Sequence, residues 1–347
     1  MRDTQFSSRV ITWQKAHGRH DLPWQNTRDP YAIWVSEIML QQTQVTAVIG
    51  YYANFMRSFP TIEALANATQ EQVLQHWSGL GYYSRARNLH NAAQTIVDEH
   101  DGVFPQDFEV VQTLSGIGRS TAAAIVSFAF NQIQTILDGN VKRVLARHFL
   151  IEGWTGSPKI EKHLWQLAES LLPEKDMVAY TQGLMDLGAT ICTRSKPKCD
   201  QCPLNNTCLA YAKNRTKDLP TPKPRKAIPQ KYTTMLVILQ GNEVLLEKRP
   251  PSGIWGGLWS LPEIDMQAIA TEVVATRFGL HAEAEEPLAL VQHVFTHFKL
   301  EILPQPLRLI SKPSQLNAPN VVWLPVEDAI GAALPTPVRN ILLNLNQ

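Results

Sequence analysis

The chain has 347 residues, a formal net charge of +1, 44% hydrophobic and 18% charged residues. Those values exclude disorder, collagen-like repeats and coiled coil as the main architecture, and the length predicts about two domains. The longest apolar stretch, Ala122 to Phe130, is interrupted by Ser127 and falls far short of the roughly 20 residues a membrane span needs. Residues 1–20 lack the apolar core of a signal peptide. The expectation is a cytoplasmic protein with no membrane partner.

From Phe6 to about Ala212 apolar residues recur at three- and four-residue spacing (Val35, Ile38, Met39, Val45; Ile62, Leu65, Ala66; Val73, Leu74, Trp77) with no convincing strand run, which predicts an all-α domain over 1–212. Within it, QTLSGIGRSTA (Gln112 to Ala122) reads as a helix, a tight Gly-x-Gly turn and a second helix. Gly116 and Gly118 allow the backbone close to a phosphate, and the amides at the following helix N-terminus supply donors. Such contacts position a nucleic acid without reading its sequence. A plain loop with two glycines would look the same, so Asp138 adds weight: a lone acid twenty residues past Gly118, in TILDGNVKRVLAR, followed by a basic helix.

All four cysteines, Cys192, Cys199, Cys202 and Cys208, fall within 17 residues in the spacing C-x6-C-x2-C-x5-C. A reducing compartment argues against disulfides. Structural zinc is the stronger rival, but its four-cysteine sites come as two C-x2-C pairs and only Cys199 and Cys202 make one. Four thiolates on uneven loops better suit a 4Fe-4S cubane, whose irons each take one sulfur at a different corner. From Thr190 to Lys231 ten Lys and Arg face two acids, Asp200 and Asp218. That surplus suits a phosphate backbone, although a solvated basic linker explains it too.

KNRTKDLPTPKPRKAIPQ, with four prolines and almost no apolar periodicity, predicts a linker over 213–230. Beyond it, TTMLVILQ and EVLLEKR flank Gly241 and Asn242 as a two-residue hairpin, and VFTHFKLEILPQPLRLI adds strands, so 231–347 is expected to be α+β.

Together the hairpin, Asp138 and the cysteine spacing resemble the helix-hairpin-helix DNA glycosylase superfamily over Arg9 to Ala212. VSEIMLQQTQV (Val35 to Val45), GLGYYSRARNL (Gly79 to Leu89) and the linked second domain are similar to adenine DNA glycosylases of the MutY type across the whole chain. GGLWSLPE (Gly256 to Glu263) resembles the start of a Nudix box, but the carboxylate-rich helix that should follow is replaced by TEVVATRFGL with Glu272 alone, too few carboxylates for a magnesium site. The resemblance implies a two-domain base-excision-repair enzyme, an all-α glycosylase domain with an iron-sulfur loop plus a Nudix-like α+β domain. It implies a monomer acting on duplex DNA with an adenine mispair, at the nucleoid when bound.

The chemistry follows from the residues. Cleaving an N-glycosidic bond to a purine needs an acid for the leaving base and a carboxylate for the cationic sugar. Glu37 lies among Val35, Ile38, Met39 and Leu40, where burial would keep it protonated. It can then give its proton to nitrogen 7 of adenine, unless it is an ordinary solvent-facing helix residue. Asp138, ionised at a helix start, would face the anomeric carbon, and it can equally be an N-cap. The resemblance places Gln42 and Tyr82 as wedges filling the gap left by the flipped base. Asn140, Lys142 and Arg143 would support Asp138 or hold phosphate, unless the two basic residues are simply a solvated helix face. The same resemblance implies that Phe295, Thr296 and His297, after His293, read 8-oxoguanine opposite the adenine, where a bland reading sees an exposed hairpin tip. Bifunctional relatives such as endonuclease III carry a Schiff-base lysine where this chain has Ser120, so a monofunctional hydrolase is implied and the role of Ser120 stays open.

Overall fold

The computed structural model describes residues 4–224, 227–310 and 320–345. Two compact units divide the chain: Met1–Asn67 with Asn91–Arg225, and Ala68–His90 with Lys226–Gln347. The chain therefore crosses between units three times, where the sequence suggested a single boundary near residue 212 and a linker over 213–230. Periodicity marks 68–90 as helical and cannot say which partner those helices choose. They choose the sheet unit: Ser78 Oγ donates to the Leu334 carbonyl at 3.3 Å and Arg87 Nη1 to the Gly256 carbonyl at 2.7 Å. The segment before residue 225 is no free linker either. Leu219 is buried and its carbonyl accepts from Arg147 Nε at 2.8 Å, while Thr221 Oγ1 accepts from the Gly153 amide at 3.0 Å. Arg225 and Lys226 of the basic stretch lie outside the described residues.

The first unit is helical among its described residues. Helix Pro30–Leu40 starts on Asp29, whose side chain accepts from the Tyr31 amide at 3.0 Å, with Pro30 in the first turn where no amide is needed. It is apolar on every side, and a helix of that kind is buried on every side: Tyr31 to Ser36, Ile38 and Met39 are all inside. Phe108–Thr113 and Arg119–Phe130 form the predicted helix-hairpin-helix. Gly139–His148 packs Val141, Val144 and Leu145 into a core shared with Leu164, Tyr180 and Leu184.

The second unit holds a sheet of eight strands among the described residues: β1 (Gln230–Gln240), β2 (Glu243–Lys248), β3 (Trp259–Ser260), β4 (Glu263–Ile264), β5 (Ala282–Ala284), β6 (Val291–Val294), β7 (Lys299–Leu309) and β8 (Val321–Pro325). Their central order is β3-β2-β1-β7-β5. β1 and β2 form the predicted hairpin, Gln240 opposite Glu243 across Gly241 and Asn242. β1 runs parallel to β7, and Met235 to Ile238 are fully buried, as expected of a central strand covered on both faces. Helix Ala270–Phe278 lays Val274 and Phe278 on that sheet.

Candidate active site and cluster loop

Glu37 is the one charged side chain of helix Pro30–Leu40, and it opens into a cavity that Arg19, Trp24, Arg28 and Gln182 also line. Burial, with the Asp138 carboxylate nearby, pushes its carboxyl up to about 8. The solvent-facing reading of Glu37 therefore fails. Asp138 caps helix Gly139–His148, accepting from the Val141 amide at 2.7 Å on one oxygen and from Asn140 Nδ2 at 3.2 Å on the other. Burial raises Asp138 too, while the donors at Val141 and Asn140 and the charge of Arg143 act against that rise. Glu37 has no such counterweight, so of the two it is the one built to keep a proton. The N-cap role of Asp138 is real and fixes its position; it does not compete with a chemical role.

In the hairpin the two glycines differ. Gly116 has φ +79°, a left-handed conformation that favours glycine, and the turn closes with the Ile117 amide on the Leu114 carbonyl at 3.1 Å. Gly118, the N-cap of Arg119–Phe130, has φ −84°, and a methyl group there would meet nothing of the chain. Neither backbone nor packing demands glycine at 118, which leaves that face clear for something outside the chain. Ser120 acquires a definite partner: its Oγ accepts from the Leu137 amide at 2.9 Å, tying the hairpin helix to the residue before Asp138. Gln42 follows helix Pro30–Leu40, exposed, with φ +59°.

Lys142 and Arg143 are not a solvated face. Lys142 Nζ meets Glu161 Oε1 at 2.6 Å. Arg143 donates to Asn140 Oδ1 at 2.7 Å, to the Gly188 carbonyl at 2.6 Å and to the Cys192 carbonyl at 2.7 Å. Of the two employments expected for Arg143, the geometry gives it support of Asp138 through Asn140. That approach also explains Gly188, where a methyl group would fall 2.4 Å from Asn140 Cβ.

Cys192, Cys199, Cys202 and Cys208 line one cavity of the first unit, all as free thiols. Among the described residues no three ligating side chains gather as they would around a single ion. A cubane takes one sulfur at each of its four corners, and this cavity is lined by four. Burial lifts the Cys202 thiol to about 12, and its three neighbouring cysteines add to the rise, a set that only a strong positive centre would hold as thiolates. Buried Arg147 donates to Cys192 Sγ at 3.3 Å and to the Thr193 and Arg194 carbonyls at 2.7 and 3.0 Å. It clamps the start of the loop and sets a charge beside it.

Within the second unit, Tyr82 stands with the residues expected to read a lesion. One cavity is lined by Tyr82, Arg87, Trp255, Phe295, Thr296 and His297. Residues 295–298 are the tip of the β6–β7 hairpin, closed by the Phe295 amide on the Phe298 carbonyl at 2.9 Å. Phe295 stacks on Phe298 at 4.5 Å between ring centres and lies 5.2 Å from Trp255, while Thr296 and His297 are exposed. The hairpin-tip reading is thus right about the backbone, and the packing gives the tip a rigid aromatic base. Tyr82 has φ +48° and is 43% exposed, free to meet an outside partner. Two carboxylates near the Nudix-like segment are paired, Glu263 with Arg249 and Glu247 with Arg277.

Reading along the sequence missed Arg19, Trp24, Gln182 and Arg147. For Gln182 a signal existed, since it is a polar residue inside the apolar helix Met177–Asp186; Arg147 is hidden among the basic residues of its own helix, and nothing local marks Arg19 or Trp24, which lie in the segment just before the helix of Glu37.

A helical hairpin unit with a four-cysteine loop and a sheet unit with a Nudix-like segment together define a class. The family model described as HhH-GPD superfamily base excision DNA repair protein matches residues 35–170, that for the iron-sulfur binding domain of endonuclease III residues 192–208, and that for the NUDIX domain residues 234–344. The chain therefore carries the iron-sulfur domain of a 4Fe-4S protein, and the matched residues 192–208 span all four of its cysteines. A solved structure titled as a thermostable thymine-DNA glycosylase superposes with a TM-score of 0.54 at 30% identity, covering 60% of this chain and 96% of that one. The adenine DNA glycosylase of Buchnera aphidicola subsp. Acyrthosiphon pisum is 39% identical over 344 residues, 99% of this chain and 98% of that one. That of Mus musculus is 34% identical over 97% of this chain and 77% of its own. The chain belongs to the adenine DNA glycosylase family, enzymes of base excision repair that act on DNA.

Proposed function

We propose that the protein hydrolyses the N-glycosidic bond of adenine standing opposite 8-oxoguanine or guanine in duplex DNA, acts as a monomer, and leaves an abasic site without cutting the strand. The observation that carries this reading is the placement of two half-buried carboxyls: Glu37, opening into a cavity of the first unit, and Asp138, held by the Val141 amide and Asn140. The flipped adenine enters that cavity with Trp24 among its walls. Glu37, still protonated at neutral pH, gives its proton to nitrogen 7, so that the base departs neutral. Asp138, an acceptor fixed by Val141 and Asn140, faces the anomeric carbon and stabilises the oxocarbenium-like transition state, or traps it transiently as an ester that water opens. The cluster supplies no step in this hydrolysis, which moves no electrons; Arg143 links its loop to Asn140 and so to Asp138.

Ser120 supports the absence of lyase chemistry, since a hydroxyl forms no imine and this one is engaged with the Leu137 amide. Gly116, Gly118 and Gln42 present backbone and a planar amide to the phosphates and the opened stack. Tyr82 and the Phe295-Thr296-His297 tip present aromatic and polar groups suited to the oxidised edge of the opposite base. The test is a single-turnover assay on duplexes with adenine opposite 8-oxoguanine, guanine or thymine, following free adenine and strand breaks before and after alkali. The expected result is adenine release fastest opposite 8-oxoguanine, with breaks only after alkali. Strand breaks appearing as fast as free adenine would sink the monofunctional reading.

A further inference from the structure

The cations on and against the cysteine loop differ in what answers their charge. Arg194, Lys196 and Lys198 are exposed, so water and salt screen them. Arg143 reaches the Cys192 carbonyl at 2.7 Å, and the Asp138 carboxylate lies near enough to share its charge. Arg147, in helix Gly139–His148, is only 2% exposed. Its Nε donates to the Leu219 carbonyl at 2.8 Å, Nη1 to the Thr193 carbonyl at 2.7 Å and to Cys192 Sγ at 3.3 Å, and Nη2 to the Arg194 carbonyl at 3.0 Å. Each of these acceptors is a carbonyl or a sulfur, and none is a carboxylate. A guanidinium does not give up its proton in a protein, so a full positive charge is shut away from water among neutral partners. Burial of that kind is costly unless a counter-charge stands nearby. The loop supplies one when its cysteines are thiolates: Arg147 and all four cysteines line the same cavity, and the Cys208 thiol donates to the Arg147 carbonyl at 3.6 Å. Stapling a loop by its carbonyls needs donors and no charge, so the charge itself calls for a partner.

We propose that Arg147 is the built-in counter-charge of an iron-sulfur cluster held by Cys192, Cys199, Cys202 and Cys208, a positioning residue whose buried positive charge favours the more reduced state of the loaded site. Four thiolates outweigh the charge of the core they hold, so the loaded site is an anion and grows more negative when it gains an electron. A fixed cation and an N–H bond to one of the sulfurs both favour the more negative form and raise the reduction potential. The consequence is protection. Glycosidic hydrolysis needs the cluster intact and none of its electrons, and Arg147 makes the first electron harder for a one-electron oxidant to remove.

The experiment compares cluster-loaded, full-length wild type with Arg147→Gln and Arg147→Lys. It records iron and sulfide content, the cluster reduction potential by voltammetry, and the rate at which ferricyanide bleaches the visible absorbance as one electron passes from the cluster to give ferrocyanide. Arg147→Gln keeps an amide donor and loses the charge; its reduced-to-oxidised ratio at a fixed potential should fall about tenfold, a potential about 59 mV lower for one electron, and bleaching should quicken. Arg147→Lys keeps the charge and loses the fork; its ratio should stay within about threefold of wild type while its melting temperature falls. Two results overturn the proposal. Arg147→Gln with the wild-type potential would leave Arg147 a staple of carbonyls, and Arg147→Lys shifted as far as Arg147→Gln would assign the effect to geometry instead of charge. Should Arg147→Gln fail to take up iron, the wild type decides. A buried counter-charge is poorly screened, so the wild-type potential should not fall between about 0.05 and 0.5 M salt; a fall would assign the charge to the exposed Arg194, Lys196 and Lys198 and equally overturn the proposal.

Discussion

Two pairs of carboxylates in this molecule have opposite fates. In the helical unit Glu37 and Asp138 lie close enough for each charge to raise the cost of the other, and Arg143 acts against that rise at Asp138 while no group does so at Glu37. In the sheet unit Glu247 and Glu263, beside the Nudix-like segment, each hold an arginine, Arg277 and Arg249. A carboxylate answered by its own guanidinium has its charge met and its acceptor oxygens engaged. A carboxylate denied a counter-charge must hold a proton or wait for positive charge to arrive, which is what a glycosidic transition state brings. The same side chain marks chemistry in one unit and architecture in the other, and the difference lies in what faces it.

The largest effect should follow from breaking the unanswered pair. Glu37→Gln and Asp138→Asn should each lower single-turnover adenine release by at least about a thousandfold while leaving binding of the mispaired duplex nearly unchanged, since neither group is placed to hold phosphate. Asn can still cap the helix at 138, so that loss would not be one of folding. In the wild type, release should decline as pH rises through about 8, where Glu37 gives up its proton. Activity flat to pH 10 would remove Glu37 as the acid.

Stability should move in the opposite sense. The ordinary value for Glu37 is 4.5 and its folded value about 8, so below pH 4.5 both states carry the proton. Between those values the unfolded chain releases it first, and the folded state loses stability as pH rises through that window. Glu37→Gln removes the penalty and should stabilise the protein at pH 8 by about 1–2 kcal/mol, allowing for solvent reaching the cavity. Chemical denaturation at pH 4 and pH 8 checks this: the gain belongs at pH 8 only.

Smaller changes sharpen the contrast between units. Phe295→Ala should leave adenine release opposite guanine within about threefold and cut the preference for 8-oxoguanine about tenfold, because the aromatic base of the hairpin tip acts on the partner base and not on the bond broken. Equal loss on both duplexes would move partner recognition elsewhere. Ser120→Ala, which orphans the Leu137 amide beside Asp138, should cost about 1 kcal/mol of stability and lower release several-fold. Arg277→Ala should do least: its pair with Glu247 is partly exposed, worth about 0.5 kcal/mol, and adenine release should not change.

The sequence alone determined what depends on residue type at short range. The glycine hairpin, the cysteine spacing, the Gly241-Asn242 turn and a lone glutamate in an apolar helix are all local patterns with local physical causes. It could not determine which distant groups would face one another. Helices 68–90 read as part of the first domain because periodicity carries no address, and they pack with the sheet. Arg143 could be read as support for Asp138, as a phosphate ligand or as part of a solvated face; here a glycine at 188 lets Asn140 in, and Arg143 reaches the Gly188 and Cys192 carbonyls. Arg147 is one basic residue among several in its helix, and only the carbonyls of Leu219, 72 residues away, and of Thr193 and Arg194 single it out. Charge and hydrogen-bond direction are properties of neighbours, and the neighbours are chosen by the tertiary fold.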